Sequence, residues 1–190
     1  WDKQIKSGDK FASYELGEKL GQGSFGSVFK VQPDPNTPWY EAVKILHRSS
    51  QYDKANFLAE IERLKEIRLP GMANIHSAGE YEGQLYYSMD FINGLNIDDY
   101  LNSSKPRALS ELFFELCEVV QKLHQQNFIH RDLKPHNIMV SEFGEIRLLD
   151  FGISRQILKT ELNDSLSATY EFASSAQIRG DKPSPQMDIY

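Results

Sequence analysis

The chain has 190 residues, 40% hydrophobic and 12% aromatic, enough for one ordinary domain or two small lobes sharing a cleft, and too apolar for disorder. A formal net charge of -6 and a pI near 5.4 argue against nucleic acid or an anionic membrane as the main partner. The single cysteine, Cys117, excludes an internal disulfide and points to a reducing, cytoplasmic (intracellular) setting, and no apolar run reaches the ~20 residues that cross a bilayer. Tyr14 to Leu20 reads as a strand, followed by a Gly-rich turn and a second strand with Val28, Phe29 and Val31. Pro33-Asp34-Pro35-Asn36-Thr37-Pro38 is turn chemistry, because three prolines cannot serve a sheet interior. Tyr40 to Leu46 resumes a strand.

From Asp53 to Ile67 the period becomes helical, with Phe57, Ile61, Leu64 and Ile67 on one stripe. Leu85 to Ile92 is another apolar strand. Asn96 has the character of an N-cap, with Asp98 and Asp99 at the positive end of a short helix. Leu109 to Gln125 forms a strong helix, apolar at Leu112, Phe113, Leu116, Val119, Val120 and Leu123, with Cys117 beside the stripe as a small core residue. Short strands follow around Ile138-Met139-Val140 and Ile146 to Leu149, and 154–185 reads as a long polar loop. No internal repeat or low-complexity tract occurs.

Three signals carry chemistry. Gly21-Gln22-Gly23-Ser24-Phe25-Gly26-Ser27-Val28 has glycines where a backbone could approach phosphates and offer its N–H groups. Taken alone it fits a plain hairpin turn equally well. A dinucleotide fold would put a helix directly after the glycines, whereas Val28-Phe29-Lys30-Val31 reads as a strand. The second signal, Ala42-Val43-Lys44-Ile45, sets a lysine amid strand residues, and the next helix offers Glu60 and Glu62 as partners for it. The third is His130-Arg131-Asp132-Leu133-Lys134-Pro135-His136-Asn137, followed after one hairpin by Asp150-Phe151-Gly152. Asp132 can accept a hydroxyl proton, Lys134 can reach a moving phosphoryl group, and Asn137 and Asp150 are hard oxygen ligands suited to Mg2+. Each has an ordinary alternative as a turn Asp, surface Lys or loop Asn. No His/Cys pair has zinc-ligand spacing.

In this order the motifs resemble those of the Ser/Thr protein kinases, over about Tyr14 to Tyr190. The resemblance implies an α+β bilobal fold, with a β-rich N-lobe over 1–92 and an incomplete helical C-lobe over 93–190 that ends at the start of helix F. It implies that ATP donates its γ-phosphoryl, with Mg2+, to a Ser or Thr hydroxyl of a protein substrate. Asp132 and Lys134 would be catalytic, with Lys44 and Glu60, the latter preferred because its spacing matches helix C. Leu20, Gly21, Gly23, Gly26, Val28, Ala42, Lys44, Met89, Asp90, Ile92, Asn96 and Met139 would hold the nucleotide. Within that set the resemblance implies that Met89 would be the gatekeeper, that Asp90 and Ile92 would offer backbone hydrogen bonds to the base, that Asn96 would touch the ribose, and that Met139 would be the floor. Asn137 and Asp150 would hold the metal. His130 would pack against Phe151, and Arg131 beside Asp132 implies control by phosphorylation at Thr160, Ser165 or Ser167.

Two departures stand out. Ser174-Ser175-Ala176 replaces the Ala-Pro-Glu expected after Thr169-Tyr170-Glu171-Phe172, so the glutamate that anchors the substrate-facing segment is missing. Asp188-Ile189-Tyr190 looks like the start of the helix whose Asp holds the catalytic loop. The chain, which starts at Trp1, is therefore expected to be a cut of a longer protein, or a reduced kinase whose exposed core a dimer mate or other partner covers. The alternative functions are a nucleotide-binding pseudokinase or scaffold without turnover, and a small-molecule kinase of the aminoglycoside type.

Overall fold

The structure, a computed structural model, describes residues 5–23, 26–47, 54–149, 174–179, 182 and 184–189. They fall into two compact units. The described residues of the first run to Ile67 and then from Asn74 to Phe91; those of the second are Arg68–Ala73 and the chain from Ile92 onward.

The first unit is built on a five-stranded antiparallel sheet of order β3-β4-β5-β7-β6. Its strands are β3 (Lys19–Gly23), β4 (Gly26–Val31), β5 (Glu41–Leu46), β6 (Ile75–Tyr81) and β7 (Gln84–Asp90), preceded by the ribbon β1 (Lys10–Phe11) and β2 (Tyr14–Glu15). Apolar alternation along β4 and β5 places Phe29, Val31, Val43 and Ile45 in a core with Phe11 and Leu16. Helix α1 (Lys54–Lys65) buries Phe57, Ile61 and Leu64 and packs along β6, and its Lys54 pairs with Glu80 there. The Pro-rich segment is a turn, closed by the Asp34 carboxylate accepting the Asn36 N–H at 2.9 Å.

The strand expected over 14–20 is broken. Gly17 donates its N–H to the Lys30 carbonyl at 2.9 Å, and a Cβ at Gly17 would stand 2.7 Å from that oxygen, so the chain kinks before β3 begins. The edge strand β6 carries no apolar alternation, because of its residues only Ile75 is buried, and only the structure reveals it.

The second unit holds the antiparallel sheet β10-β9-β8, made of β8 (Gly94–Asn96), β9 (Ile138–Ser141) and β10 (Ile146–Leu148). It also holds α2 (Ile97–Leu101), α3 (Leu109–Gln125) and α4 (Ser175–Ile178). Asn96 is the α2 N-cap, its Oδ1 accepting the Asp99 N–H at 2.9 Å. Arg107 braces α3 to the sheet. Its Nη1 donates to the Glu115 carboxylate at 2.8 Å and to the Gly144 carbonyl at 2.6 Å, while Glu115 accepts the Ile146 N–H at 2.9 Å. The Glu115 hydrogen bond raises the already high pKa of Arg107 further.

The buried stripe of α3 is narrower than its apolar residues suggest. Leu112, Val119, Val120 and Leu123 are buried, whereas Phe113 is 63% exposed and Cys117 is exposed. At about 100° per residue, Cys117 stands roughly 140° round from Leu112, so it is a surface thiol and not a core residue. Among the described residues no helix is long and apolar enough to cross a membrane.

Candidate active site

In the second unit the segment from His130 to Asn137 is held from three directions. The Asp188 carboxylate is fully buried and accepts the His130 N–H at 2.7 Å through Oδ2 and the Arg131 N–H at 2.6 Å through Oδ1. Its Oδ2 also accepts from Nε2 of His124, on the last turn of α3, at 2.8 Å. Arg131 has φ of 67°, a left-handed conformation that costs a non-glycine residue about 1–3 kcal/mol. Two charge-assisted hydrogen bonds to Asp188, one from the strained residue's own N–H and one from that of His130 before it, offset this cost.

The His130 ring is fully buried and donates from Nε2 to the Leu149 carbonyl at 2.8 Å. Its Nδ1 is therefore left as an acceptor and faces the Asp132 N–H at 3.4 Å. Pro135 then starts a single 3-10 turn, Pro135–Asn137, which points Asn137 back at the loop. Asn137 Nδ2 donates to both the main-chain oxygen and Oδ2 of Asp132, each at 2.8 Å. Lys134 Nζ reaches the same Asp132 Oδ2 at 2.8 Å. A carboxylate, an ammonium and an amide thus converge within hydrogen-bond range. Because both Asn137 donor bonds go to Asp132, Oδ1 is the Asn137 atom suited to a hard cation.

Replacing Asp188 with Ala would leave the buried His130 and Arg131 N–H groups without their acceptor. The expected loss of unfolding free energy is about 3 kcal/mol or more, measured by urea denaturation. A loss below about 1 kcal/mol would mean the carboxylate does not hold this segment.

In the first unit, Gly21 and Gly23 lie on β3, and Gly26 opens β4. They are not equivalent. A Cβ at Gly26 would collide with the Ile45 carbonyl oxygen, so sheet packing alone demands that glycine. Cβ atoms at Gly21 and Gly23 would meet nothing within 4 Å, so packing does not account for them, and the strand keeps open backbone there. That open backbone fits a phosphate chain. Leu20 is 40% exposed, Val28 sits opposite Gly21 and Lys44, and Ala42 is buried opposite the buried Met89. Lys44 stands on a central strand between Val28 and Tyr87, its Nζ 6.0 Å from the Tyr87 ring centre.

Among the described residues no ion pair joins Glu60 to Lys44. Its carboxylate instead takes Arg63 Nη1 at 3.2 Å, one turn along α1. Asp90 ends β7, Ile92 is half-buried, and Asn96 and Met139 are register partners on β8 and β9. Asp150, Phe151, Gly152, Thr160, Ser165, Ser167 and the Thr169–Phe172 motif lie outside the described residues, as do Ser24 and Phe25. Ser174, first of the residues standing where Ala-Pro-Glu was expected, is buried, and its carbonyl accepts the Ile178 N–H at 3.0 Å as α4 begins. Sequence reasoning missed His124. Its position on the polar side of a helix end carries no signal until Asp188 is placed beside it.

A sequence profile of the protein kinase domain matches residues 14–190. The chain is 30% identical over 195 residues to a probable serine/threonine-protein kinase, PknB, of Lactococcus lactis, covering 98% of this chain and 31% of that protein. It is 30% identical over 198 residues to the serine/threonine-protein kinase PknJ of Mycobacterium tuberculosis, covering 98% of this chain and 33% of that protein. The chain therefore spans about a third of the length of these relatives. Among solved structures, the kinase domain of Mycobacterium tuberculosis PknI superposes with a TM-score of 0.73 at 24% identity, over 97% of this chain and 72% of that one. The apo form of PpkA-294 gives a TM-score of 0.74 at 23% identity, over 98% of this chain and 75% of that one. Both show the same fold.

Proposed function

Because the chain belongs to the protein kinase domain family, we propose that it transfers the γ-phosphoryl group of ATP to Ser or Thr hydroxyls of a protein acceptor. The family as a whole uses ATP with a divalent metal. The observation that carries this reading is the convergence of Lys134 and Asn137 on the Asp132 carboxylate, at 2.8 Å each, on a loop anchored by buried Asp188.

In the proposed reaction the acceptor O–H bond breaks and its proton passes to Asp132 as the new O–P bond forms. The bond between the γ-phosphorus and the bridging oxygen breaks, and ADP leaves. Lys134, held beside Asp132, would stabilise charge on the phosphoryl oxygens during transfer. Asn137 Oδ1 and Asp150 would hold Mg2+, which when bound would neutralise phosphate charge. The backbone of Gly21 and Gly23 would cover the phosphates, and Lys44 would align them. Leu20, Val28, Ala42, Met89 and Met139 would enclose the base, with Asp90 and Ile92 meeting its edge and Asn96 the ribose.

For Lys44 to pair with Glu60, the carboxylate would either accept it at the oxygen Arg63 does not use or exchange Arg63 for it. An i,i+3 pair whose arginine is 64% exposed is worth only about 0.3–0.5 kcal/mol, so little opposes the exchange.

The reading is tested by offering Mg·ATP with matched peptides that differ only in Ser, Thr or Tyr at the acceptor position. Phosphate is expected on Ser and Thr and not on Tyr. Transfer to Tyr alone, or to an aminoglycoside and no peptide, would contradict it.

A further inference from the structure

Two successive residues at the end of β7 are held by side chains that have no part in the chemistry proposed above. The Asp90 carboxylate is taken at both oxygens. Its Oδ2 accepts the Asn74 N–H at 2.9 Å and Asn74 Nδ2 at 2.7 Å, and its Oδ1 accepts from His76 Nε2 at 2.8 Å. The Asp90 N–H in turn donates to the Asn74 carbonyl at 2.9 Å. Beside it, the Phe91 ring lies 4.2 Å from Lys30 Nζ, which also sits 4.1 Å from the centre of the Tyr40 ring, and the two rings meet edge-on at 6.3 Å.

We infer that Asn74 and His76 are positioning residues that set the purine selectivity of the nucleotide site by clamping Asp90. The inference rests on the reading of Asp90 as a residue whose backbone meets the base. Partly exposed hydrogen bonds add little to stability, because water competes for every partner. Four of them on one residue instead fix its orientation, and with it the direction of the carbonyl that follows. A carbonyl held in place accepts a hydrogen bond from the exocyclic amine of adenine and repels the exocyclic oxygen of guanine. That discrimination weakens if the carbonyl can turn away. The cage of Lys30 and Tyr40 around Phe91 restrains the next residue in the same segment. An apolar side chain at position 90 would end the strand equally well, so strand formation alone does not call for the clamp.

The test measures binding of Mg·ATP and Mg·GTP by calorimetry to the whole chain and to its His76→Ala, Asn74→Ala and His76→Gln variants. The unmodified chain is expected to prefer ATP. His76→Ala and Asn74→Ala should weaken ATP by roughly tenfold, the worth of one well-placed hydrogen bond, and leave GTP unchanged. His76→Gln, whose amide can still donate to Oδ1, should recover most of the preference. The His76 side chain is 37% exposed, so His76→Ala should keep the unfolding midpoint of the nucleotide-free chain and decides the matter should Asn74→Ala not fold. Equal weakening of both nucleotides, or unchanged selectivity, would overturn the clamp and leave the ATP site standing. Failure of the unmodified chain to bind either nucleotide would overturn the ATP reading and the clamp with it.

Discussion

Asp132→Asn is expected to slow phosphoryl transfer by about 10²–10⁴-fold, the usual contribution of a positioned acid–base group. The substitution is nearly isosteric. It keeps an oxygen for Asn137 and the main chain of the loop, so the Asp188 anchor is untouched. What it removes is the negative charge that draws Lys134 to 2.8 Å and the basic atom for the hydroxyl proton. Mg·ATP affinity should stay within about twofold, because the loss falls on the transition state and not on ground-state binding. Single-turnover rates together with equilibrium nucleotide binding separate the two. A variant that turned over at the normal rate would remove Asp132 from the chemistry.

Lys44→Met is expected to cost about 10²-fold or more in kcat/KM for ATP, the scale of losing one preorganised charge at a developing anion. Lys44 lies in the interior of β5, paired to Val28 on one side and Tyr87 on the other, so the sheet fixes its Cα whatever the side chain. Methionine preserves the length and the apolar stem, and folding should be unchanged. The measurement is steady-state kinetics with ATP varied, beside a thermal unfolding midpoint. An unchanged kcat/KM would show that the ammonium does not serve the phosphates.

Much of this arrangement can be read from residue order, because several of its parts are local. The eight residues from His130 to Asn137 contain Asp132, Lys134 and Asn137, and one proline-started turn brings Asn137 back onto Asp132, although the anchor of the loop, Asp188, lies far along the chain. The α1 stripe and the Asn96 cap are likewise set by neighbours in sequence. The rest depends on contacts far along the chain. Strand β6 is invisible because a polar edge strand needs only the hydrogen bonds of β7, and not an alternating face. Phe113 and Cys117 read as core because an apolar residue on a helix reports no direction. Which sector is buried follows from what packs there, such as the close approach of Gly71 to Val119. Glu60 matched its expected spacing, yet its carboxylate took the nearer Arg63, since spacing gives reach and not choice of partner. The clamp on Asp90 joins residues 14 and 16 positions apart, and no local pattern announces it.

The most direct test of the central claim is the intact mass of a generic protein acceptor after incubation with this chain and Mg·ATP, with Asp132→Asn run in parallel and the modified residue identified by fragmentation. The account predicts a gain of phosphate on Ser or Thr with the unmodified chain and almost none with the variant. No phosphate from either, in a chain shown by calorimetry to bind Mg·ATP, would contradict it and leave a nucleotide-binding protein without turnover.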